Sequence, residues 1–410
     1  MRGKKQKTMS WHTLMFGWEY PPVHCGGLGV ACQGIVRGLL HHGAKVTLVL
    51  PHDASEENGV TILSPDDLGS ETIIPIRTKL KPYDSWQTFS LRLSTEGSEP
   101  APQLYGDNLG AEVERYTAVA TELTKKIRPD IVHTHDWMTL EAGVRASAYH
   151  RKPMVAHVHA TELDRTEFKP NCWIMRREIQ GLKKADHVIA VSGYTKNILM
   201  REYGIPEDKI TVLHNGTFDT RPFPRLADDS KRHPLVLFLG RLTVQKGVTY
   251  FLRAAKNVHE IDPAVRFVVA GEGYLLPQLI QETFDLGLTE SMIFAGRVTN
   301  EEARKLYART DCFVMPSVSE PFGLVALEAI THGAPVVLSR QSGVSEVVRN
   351  SMIVDFWDID KMADSILTVL REKPLRSEMR AQTGRVLSNL TWHRQAGKIL
   401  AVYDKLTINN

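Results

Sequence analysis

The stretch Ser317–Gly333 (SVSEPFGLVALEAITHG) sets two carboxylates, Glu320 and Glu328, around a loop that runs into a helix. Phe322, Val325, Ala326, Ala329 and Ile330 recur at helical spacing and make one apolar face, while Leu324, Glu328 and His332 fall four apart on another. A helix opening near Gly323 places Glu328 about 7 Å of axial rise further along. The first amides, those of Gly323 and Leu324, have no intrahelical partner and favour an anion. One segment thus offers a carboxylate, an anion cradle and a second carboxylate. Taken alone it also fits a plain amphipathic helix with a solvated glutamate. Arg241 and Lys246 stand at a second junction of this kind, after the apolar run Leu235–Gly240. There cations and helix amides can share a diphosphate, or be two solvated charges.

A second group of polar residues ends two other apolar runs. Asp130–Trp137 (DIVHTHDW) and Pro153–Glu162 (PMVAHVHATE) deliver His135, Asp136 and His159 to the carboxyl ends of two consecutive strands. Ligands of open α/β sheets bind at that edge. His and Asp also ligate metals, but this set is not tightly spaced, and no metal site is expected. Residues 11–17 read as a first strand, followed by Gly26-Gly27-Leu-Gly29 and a helical run from about Ala31 to His42. Strand, glycine-rich turn and helix form a phosphate-cradling unit, although the spacing is GGxG and not the dinucleotide GxGxxG. Glycines placed for a tight turn are the plainer alternative.

These groups need elements to position them. Lys45–Pro51 reads as a buried strand beside the first, and residues 52–110 as short strands (Val60–Leu63, Thr72–Ile76, Thr88–Leu93) among loops that could shape an acceptor surface. Ala111–Ile127, Ile174–Lys184 and Gly193–Tyr203 have helical periodicity. Asp186–Ser192 and Lys209–Gly216 read as strands, the latter bringing Asn215 to a turn. Residues 217–234, with three prolines and many charges, make the clearest linker. The pattern then restarts with strands at Leu235–Gly240, Arg266–Ala270, Met292–Gly296 (with Arg297 in a turn that could lie over a nucleobase), Asp311–Pro316 and Ala334–Leu338. Asp358 caps a helix to Leu370, a polar helix runs to about Leu390, and Thr391–Tyr403 is a last helical run. The whole reads as α/β, two doubly wound parallel sheets.

A chain of 410 residues allows two or three domains. Its 42% hydrophobic and 24% charged residues are ordinary for a soluble globular protein, and a net charge of +3 is too small to imply nucleic-acid binding. None of the four cysteines forms a CxxC pair, so a zinc site or disulfide framework is not indicated, and a reducing, cytoplasmic setting fits. The apolar run after the basic first residues is short and broken by His12, Trp18 and Glu19, so no signal peptide is expected. No eighteen-residue apolar run exists to span a membrane; peripheral membrane contact stays open.

The combined pattern resembles the retaining, nucleotide-sugar-dependent glycosyltransferases of the GT-B fold, nearest to the glycogen and starch synthase branch. The resemblance is carried by the GGLG turn, His133-Thr-His-Asp-Trp137, the His159 strand end, Val191-Ser192, His214-Asn-Gly216, Gly240-Arg241…Lys246-Gly247 and Glu320-Pro-Phe-Gly-Leu-Val-Ala-Leu-Glu328, a Glu-x7-Glu motif. It implies two Rossmann-like domains, 1–222 for the acceptor and 223–390 for the donor, facing an interdomain cleft, with residues 391–410 crossing back to the first. Arg241 and Lys246 would bind the donor diphosphate and stabilise the leaving group, helped by the amides of Gly323 and Leu324. Glu328 would hold the ribose, Glu320 the donor sugar, and His159 its 6-hydroxyl near the reacting face. Asp136 and Asn215 would position sugar or acceptor, Arg297 would join the donor contacts, and Gly26 and Gly27 would let the first domain approach the phosphates. His24 stands where many starch synthases have Lys.

The implied reaction moves a hexosyl unit, glucose by preference, from ADP-glucose or a UDP-sugar to a hydroxyl acceptor with retention, and an α-glucan is the first acceptor to test. The resemblance implies neither a metal nor another cofactor. A small-sugar or lipid acceptor is the alternative within this class. A GT-B nucleotide-sugar epimerase is the alternative outside it, disfavoured by Arg241, Lys246 and the Glu-x7-Glu pair. An oxidoreductase lacks its GxGxxG, and a catalytically dead, glycan-binding relative would be expected to lack Glu320 or Lys246.

Overall fold

The computed structural model describes residues 11–21, 26–51, 60–63, 109–166, 168–218 and 232–408. His24 and Cys25, the strand-like pieces at 72–76 and 88–93, and most of the linker lie outside the described residues.

Two parallel sheets organise the chain. The first contains β1 (His12–Phe16), β2 (Lys45–Val49), β3 (Val60–Leu63), β4 (Ile131–His135), β5 (Met154–Val158), β6 (His187–Ala190) and β7 (Ile210–Val212), in the order β3-β2-β1-β4-β5-β6-β7. The second contains β8 (Leu235–Leu239), β9 (Arg266–Ala270), β10 (Met292–Gly296), β11 (Cys312–Met315), β12 (Val336–Ser339) and β13 (Met352–Val354), in the order β10-β9-β8-β11-β12-β13. Every pairing is parallel. The inner strands are near-continuous apolar runs because helices cover both faces, as β8 (LVLFL) shows. Each sheet reverses its order once, between β1 and β4 and between β8 and β11. A crevice opens at such a switch point outside the carboxyl ends of the strands.

The helices over the first sheet are α1 (Gly27–His41), α2 (Leu109–Thr124), α3 (Trp137–His150), the short α4 (Glu162–Arg165), α5 (Cys172–Lys184) and α6 (Gly193–Arg201). The second sheet is followed through α7 (Val248–Ile261), α8 (Leu276–Asp285), α9 (Asn300–Arg309), α10 (Leu324–Thr331), α11 (Ile359–Arg371), α12 (Lys373–Ala381) and α13 (Thr383–Asn389). The last helix, α14 (Trp392–Ile408), packs on α1: a Cβ added at Gly34 would come within 2.1 Å of the Trp392 ring. Trp392, Ala396, Ile399 and Tyr403 are buried in one cluster with Ile35 and Leu39. The backbone of Thr217 meets the chain end, its amide donating to Leu390 O at 2.6 Å.

Differences from the sequence reading are mostly at boundaries. Helix α1 starts at Gly27, not near Ala31, with Gly26 as its extended N-cap, so Gly27 belongs to the helix and not to a turn. The expected single helix before Leu390 is two, α12 and α13. Among the described residues, no helix is long and apolar enough to cross a membrane.

Candidate functional site

The four strands at the two switch points end in polar chemistry. After β1 comes Glu19, after β4 Asp136, after β8 Arg241, and after β11 the loop carrying Glu320. A cavity of about 570 Å³ lies elsewhere, lined by Trp11, Asp130, Pro153 and Asp186 at the amino ends of the strands, and holds none of these residues.

On the second sheet, Arg241 is exposed, with one guanidinium nitrogen 3.4 Å from Gln245 Oε1. Lys246 ends a short 3-10 turn (Val244–Lys246), and its Nζ donates to Glu320 Oε2 at 2.7 Å. The same oxygen accepts from Ser317 Oγ at 3.1 Å. The Glu320 backbone is clamped by Gln341 O and the Gly343 amide, both at 2.9 Å, and Gln245 donates to Ser319 O at 3.1 Å. The loop is therefore rigid around a buried carboxylate. Helix α10 starts at Leu324 behind Gly323, whose φ of +111° suits glycine, and no side chain caps it. Phe322, Ala326, Ala329 and Ile330 are buried as the apolar face requires. Glu328 faces solvent, with Oε2 accepting from the Tyr307 hydroxyl at 3.1 Å; its dense surroundings push its carboxyl up, and that hydrogen bond opposes them. Arg297 is exposed just beyond β10.

On the first sheet the polar groups are buried. Asp136 sits at a φ of +57°, an uncommon conformation for a residue with a side chain. Its Oδ1 accepts from the amides of His159 at 2.6 Å and Ala160 at 3.3 Å. Asp136 Oδ2 and Trp137 Nε1 find no protein partner, and both residues line a cavity of about 10 Å³, roughly the space of one water. Burial pushes the Asp136 carboxyl up to about 7, against Arg165 and the two amides. His159 Nε2 lies 2.9 Å from His135 Nδ1, and burial holds the His159 ring well below the usual imidazole range and His135 down to about 3. Both rings are neutral at pH 7. Asn215 is buried with Oδ1 unpartnered.

Behind Asp136 lies a buried ion network. Arg165 binds Glu178 at 2.5 Å and Glu162 at 3.1 Å, and Tyr203 also donates to Glu178. Burial raises both glutamates and Arg165 opposes it, the balance expected of ions that persist in the interior only when paired.

The two halves meet at these sites. Ser319 Oγ donates to Asp164 Oδ1 at 2.5 Å and lies 2.9 Å from the Tyr194 hydroxyl. Glu346 accepts from the amides of Gly193 at 2.9 Å and Tyr194 at 2.7 Å, at the start of α6. The positive charge of Arg241 is felt by Glu19, on the opposite rim.

Glu19 escaped the sequence reading. Its Oε2 accepts from the Gly26 amide at 3.3 Å and the Gly29 amide at 3.2 Å, so it covers the N-terminus of α1 beside the expected Gly26–Gly27 contact. The signal was available: it is a carboxylate two residues past the strand expected over 11–17 and seven before a helix-opening glycine pair. His133 and His157 were also passed over. With His135 they form a cluster whose ring nitrogens lie within 4.8 Å of one another, a set tight in space although not in sequence.

Comparison with known proteins then fixes the family. Residues 25–221 match the model of Glycosyltransferase Family 4, and residues 225–385 that of Glycosyl transferases group 1. An uncharacterized glycosyltransferase of Methanocaldococcus jannaschii is 31% identical over 370 residues, covering 86% of each chain. The chain belongs to the group 1 glycosyltransferases. Among relatives of this glycosyltransferase, a glycogen synthase of Mycobacterium tuberculosis is 28% identical over 413 residues, covering 95% of this chain and 94% of that one. In fold it is similar to sucrose-phosphate synthase of Thermosynechococcus elongatus (TM-score 0.76, 18% identity, 98% of this chain and all of the other). It is also similar to HepE of Anabaena, solved with UDP and glucose (TM-score 0.69, 19% identity, 96% of this chain and 100% of that one). The two parallel sheets expected from the strand pattern are observed, and the GT-B fold that the resemblance implied is the fold found.

Proposed function

We propose that this glycosyltransferase transfers a hexosyl unit, glucose by preference, from a nucleotide-diphosphate sugar to a hydroxyl acceptor with retention of configuration, and that the acceptor is an α-glucan. The observation that carries the reading is the arrangement after β8 and β11. Two cations, an uncapped helix start and two carboxylates are gathered at one switch point, opposite the buried Asp136–His159 pair. The glycogen synthase relative supports the acceptor, and the UDP and glucose bound by HepE support the donor class.

In this reading Arg241 and Lys246 hold the diphosphate with the Gly323 and Leu324 amides, and Arg297 adds charge at the donor end. As the bond to the anomeric carbon breaks, negative charge grows on the leaving oxygen. Fixed cations and amides stabilise it without reorganising. Donor binding draws Lys246 from Glu320, and the freed carboxylate receives sugar hydroxyls. Glu328 holds the ribose. Asp136, Asn215 and the neutral His159 orient the hexose, and the Gly26–Gly27 amides approach the phosphates. The acceptor hydroxyl attacks on the face the diphosphate leaves, and its proton passes to the departing phosphate oxygen as the bond from the anomeric carbon to that oxygen breaks. The departing diphosphate needs no protein acid, and the two cations stand where a metal would otherwise serve, so the transfer itself is metal-independent; the absence of a CxxC pair in the sequence supports a reducing, cytoplasmic setting.

The test is a panel of ADP-, UDP- and GDP-glucose with and without glycogen, reading nucleotide release and the anomeric proton of the product. Glycogen-dependent release from ADP- or UDP-glucose, giving an α-linkage at a rate unaltered by added Mg²⁺ or Mn²⁺, is expected. Release only with small phosphosugars, inositol phosphate or lipid acceptors would remove the glucan assignment. A β-linked product would remove retention. Isomerised sugar without release would make the protein an epimerase.

A further inference from the structure

The face of the first sheet behind His159 carries more imidazole than sugar binding uses. His133 and His135 are two apart on β4, and His135 pairs in register with His157 on β5, so the three rings stand on one face. A ring nitrogen from each lies within 4.8 Å of the other two. His133 Nε2 and His157 Nδ1 are 3.3 Å apart. Two ligands about 2.0 Å from a tetrahedral zinc ion are separated by about 3.3 Å. The remaining nitrogens of two rings are engaged as metal-bound histidines usually are, His133 Nδ1 with the Tyr403 hydroxyl at 2.5 Å and His135 Nδ1 with His159 Nε2 at 2.9 Å. Nε2 of His135 is buried without any partner, and an orphaned polar atom of this kind calls for an explanation.

We propose that His133, His135 and His157 form a binding site for a divalent transition metal of the zinc type, set in the first sheet behind the transfer site. Three neutral imidazoles on two paired strands suit zinc, with cobalt or nickel as surrogates, the side chains turning to bring nitrogens now within 4.8 Å of one another to the roughly 3.3 Å of tetrahedral ligation. The site has a consequence for its neighbour. Ligation through His135 Nε2 keeps the His135 proton on Nδ1, which then donates to His159 Nε2. His159 must in turn carry its own proton on Nδ1, the nitrogen that has no partner in the protein. The metal thereby sets the tautomer of His159 while taking no part in the departure of the diphosphate.

The experiment uses the untagged full chain in which a second, surface group of histidines is removed. At the end of α1, His41 meets His393 edge-on and His42 stacks on it, ring centres 4.2 and 4.3 Å apart, and the three could hold metal adventitiously, so the background carries H41N, H42N and H393N. Cobalt titrated into chelator-treated protein should bind at about one equivalent per chain with visible d–d bands, raise Tm by several degrees, and lose both effects in H135Q and in H157Q. X-ray absorption at the zinc edge on the chain with wild-type His133, His135 and His157 should show three imidazole nitrogens near 2.0 Å, which tests the site even if a variant fails to fold. Absence of d–d bands and of any metal-dependent shift in Tm would overturn the proposal. So would binding that survives both substitutions, or an oxygen-only shell. None of these readings depends on transfer activity.

Discussion

The two switch-point rims contain similar residue types held in opposite states. On the first sheet Glu19, Asp136 and His159 are each at most 5% exposed, and burial drives both carboxyls up to about 7 and the imidazole well down. On the second, Arg241, Arg297 and Glu328 face solvent, and Lys246 is half-buried against Glu320. Desolvation works against charge on one rim, and the other keeps its ions in reach of water. A hexose has hydroxyls and no charge, whereas a diphosphate has charge above all. On the proposed reading each rim is matched to the part of the donor it meets. The comparison also separates two costs: disturbing the buried rim threatens the fold, and disturbing the open one threatens chemistry.

The sharpest way to break that comparison is Arg165→Met. The guanidinium is buried between Glu178 and Glu162, and its loss strands two carboxylates in the interior. Removing one member of such a set costs about 3–5 kcal/mol, so urea unfolding should move by that amount, and at pH 7 one or both glutamates should take up a proton. A change below about 1 kcal/mol would mean that the network behaves as a surface pair and that the first rim is not the dry one.

Lys246→Ala should show the reverse pattern. Glu320 keeps its bond to Ser317, and the lost pair is partly open to water, so stability should fall by only about 1 kcal/mol. Turnover should fall about 10²- to 10³-fold, as when one fixed donor to a developing anion is removed. Thermal unfolding beside nucleotide release gives both numbers on one preparation. A large drop in Tm with little loss of rate would assign Lys246 to the fold and leave Arg241 as the sole diphosphate cation of the proposal.

Much of this was legible in sequence because parallel strands covered on both faces must be continuous apolar runs, and the residues that end them sit at one edge. That logic reached Asp136, His159, Arg241, Lys246 and Glu320 without any contact being known. It failed at Glu19, where Trp18-Glu-Tyr reads as the breakdown of an apolar run although Trp18 and Tyr20 are themselves buried. The doublets His133-Thr-His135 and His157-Val-His159 show a period of two that assigns all four rings to one face, but only the pairing of β4 with β5 brings the doublets side by side. The Arg165–Glu178 bond and the Ser319–Asp164 contact join residues 13 and 155 positions apart, and no local pattern specifies them.

Glu19 offers the finest test of the contrast. Its carboxyl faces the Gly26 and Gly29 amides of α1, Arg241 on the opposite rim and Asp136 at the end of β4. Burial raises it to about 7, while the amides and Arg241 pull the other way and Asp136 adds to the rise. An acid whose folded value lies above its unfolded one stabilises the fold most at low pH. That contribution is lost as pH climbs from the unfolded value, about 4.3, through the folded one. Wild type should therefore lose stability relative to Glu19→Gln across that window, by at most about 4 kcal/mol, and run parallel to it above pH 8. The difference between the two proteins cancels every other titrating group that the substitution leaves undisturbed, so urea midpoints from pH 4 to 8 suffice. Two parallel curves throughout would mean that the amides of α1 and Arg241 hold Glu19 ionised. The first rim would then carry a fixed negative charge facing the diphosphate, and the division into a rim set against charge and an ionic one would fall.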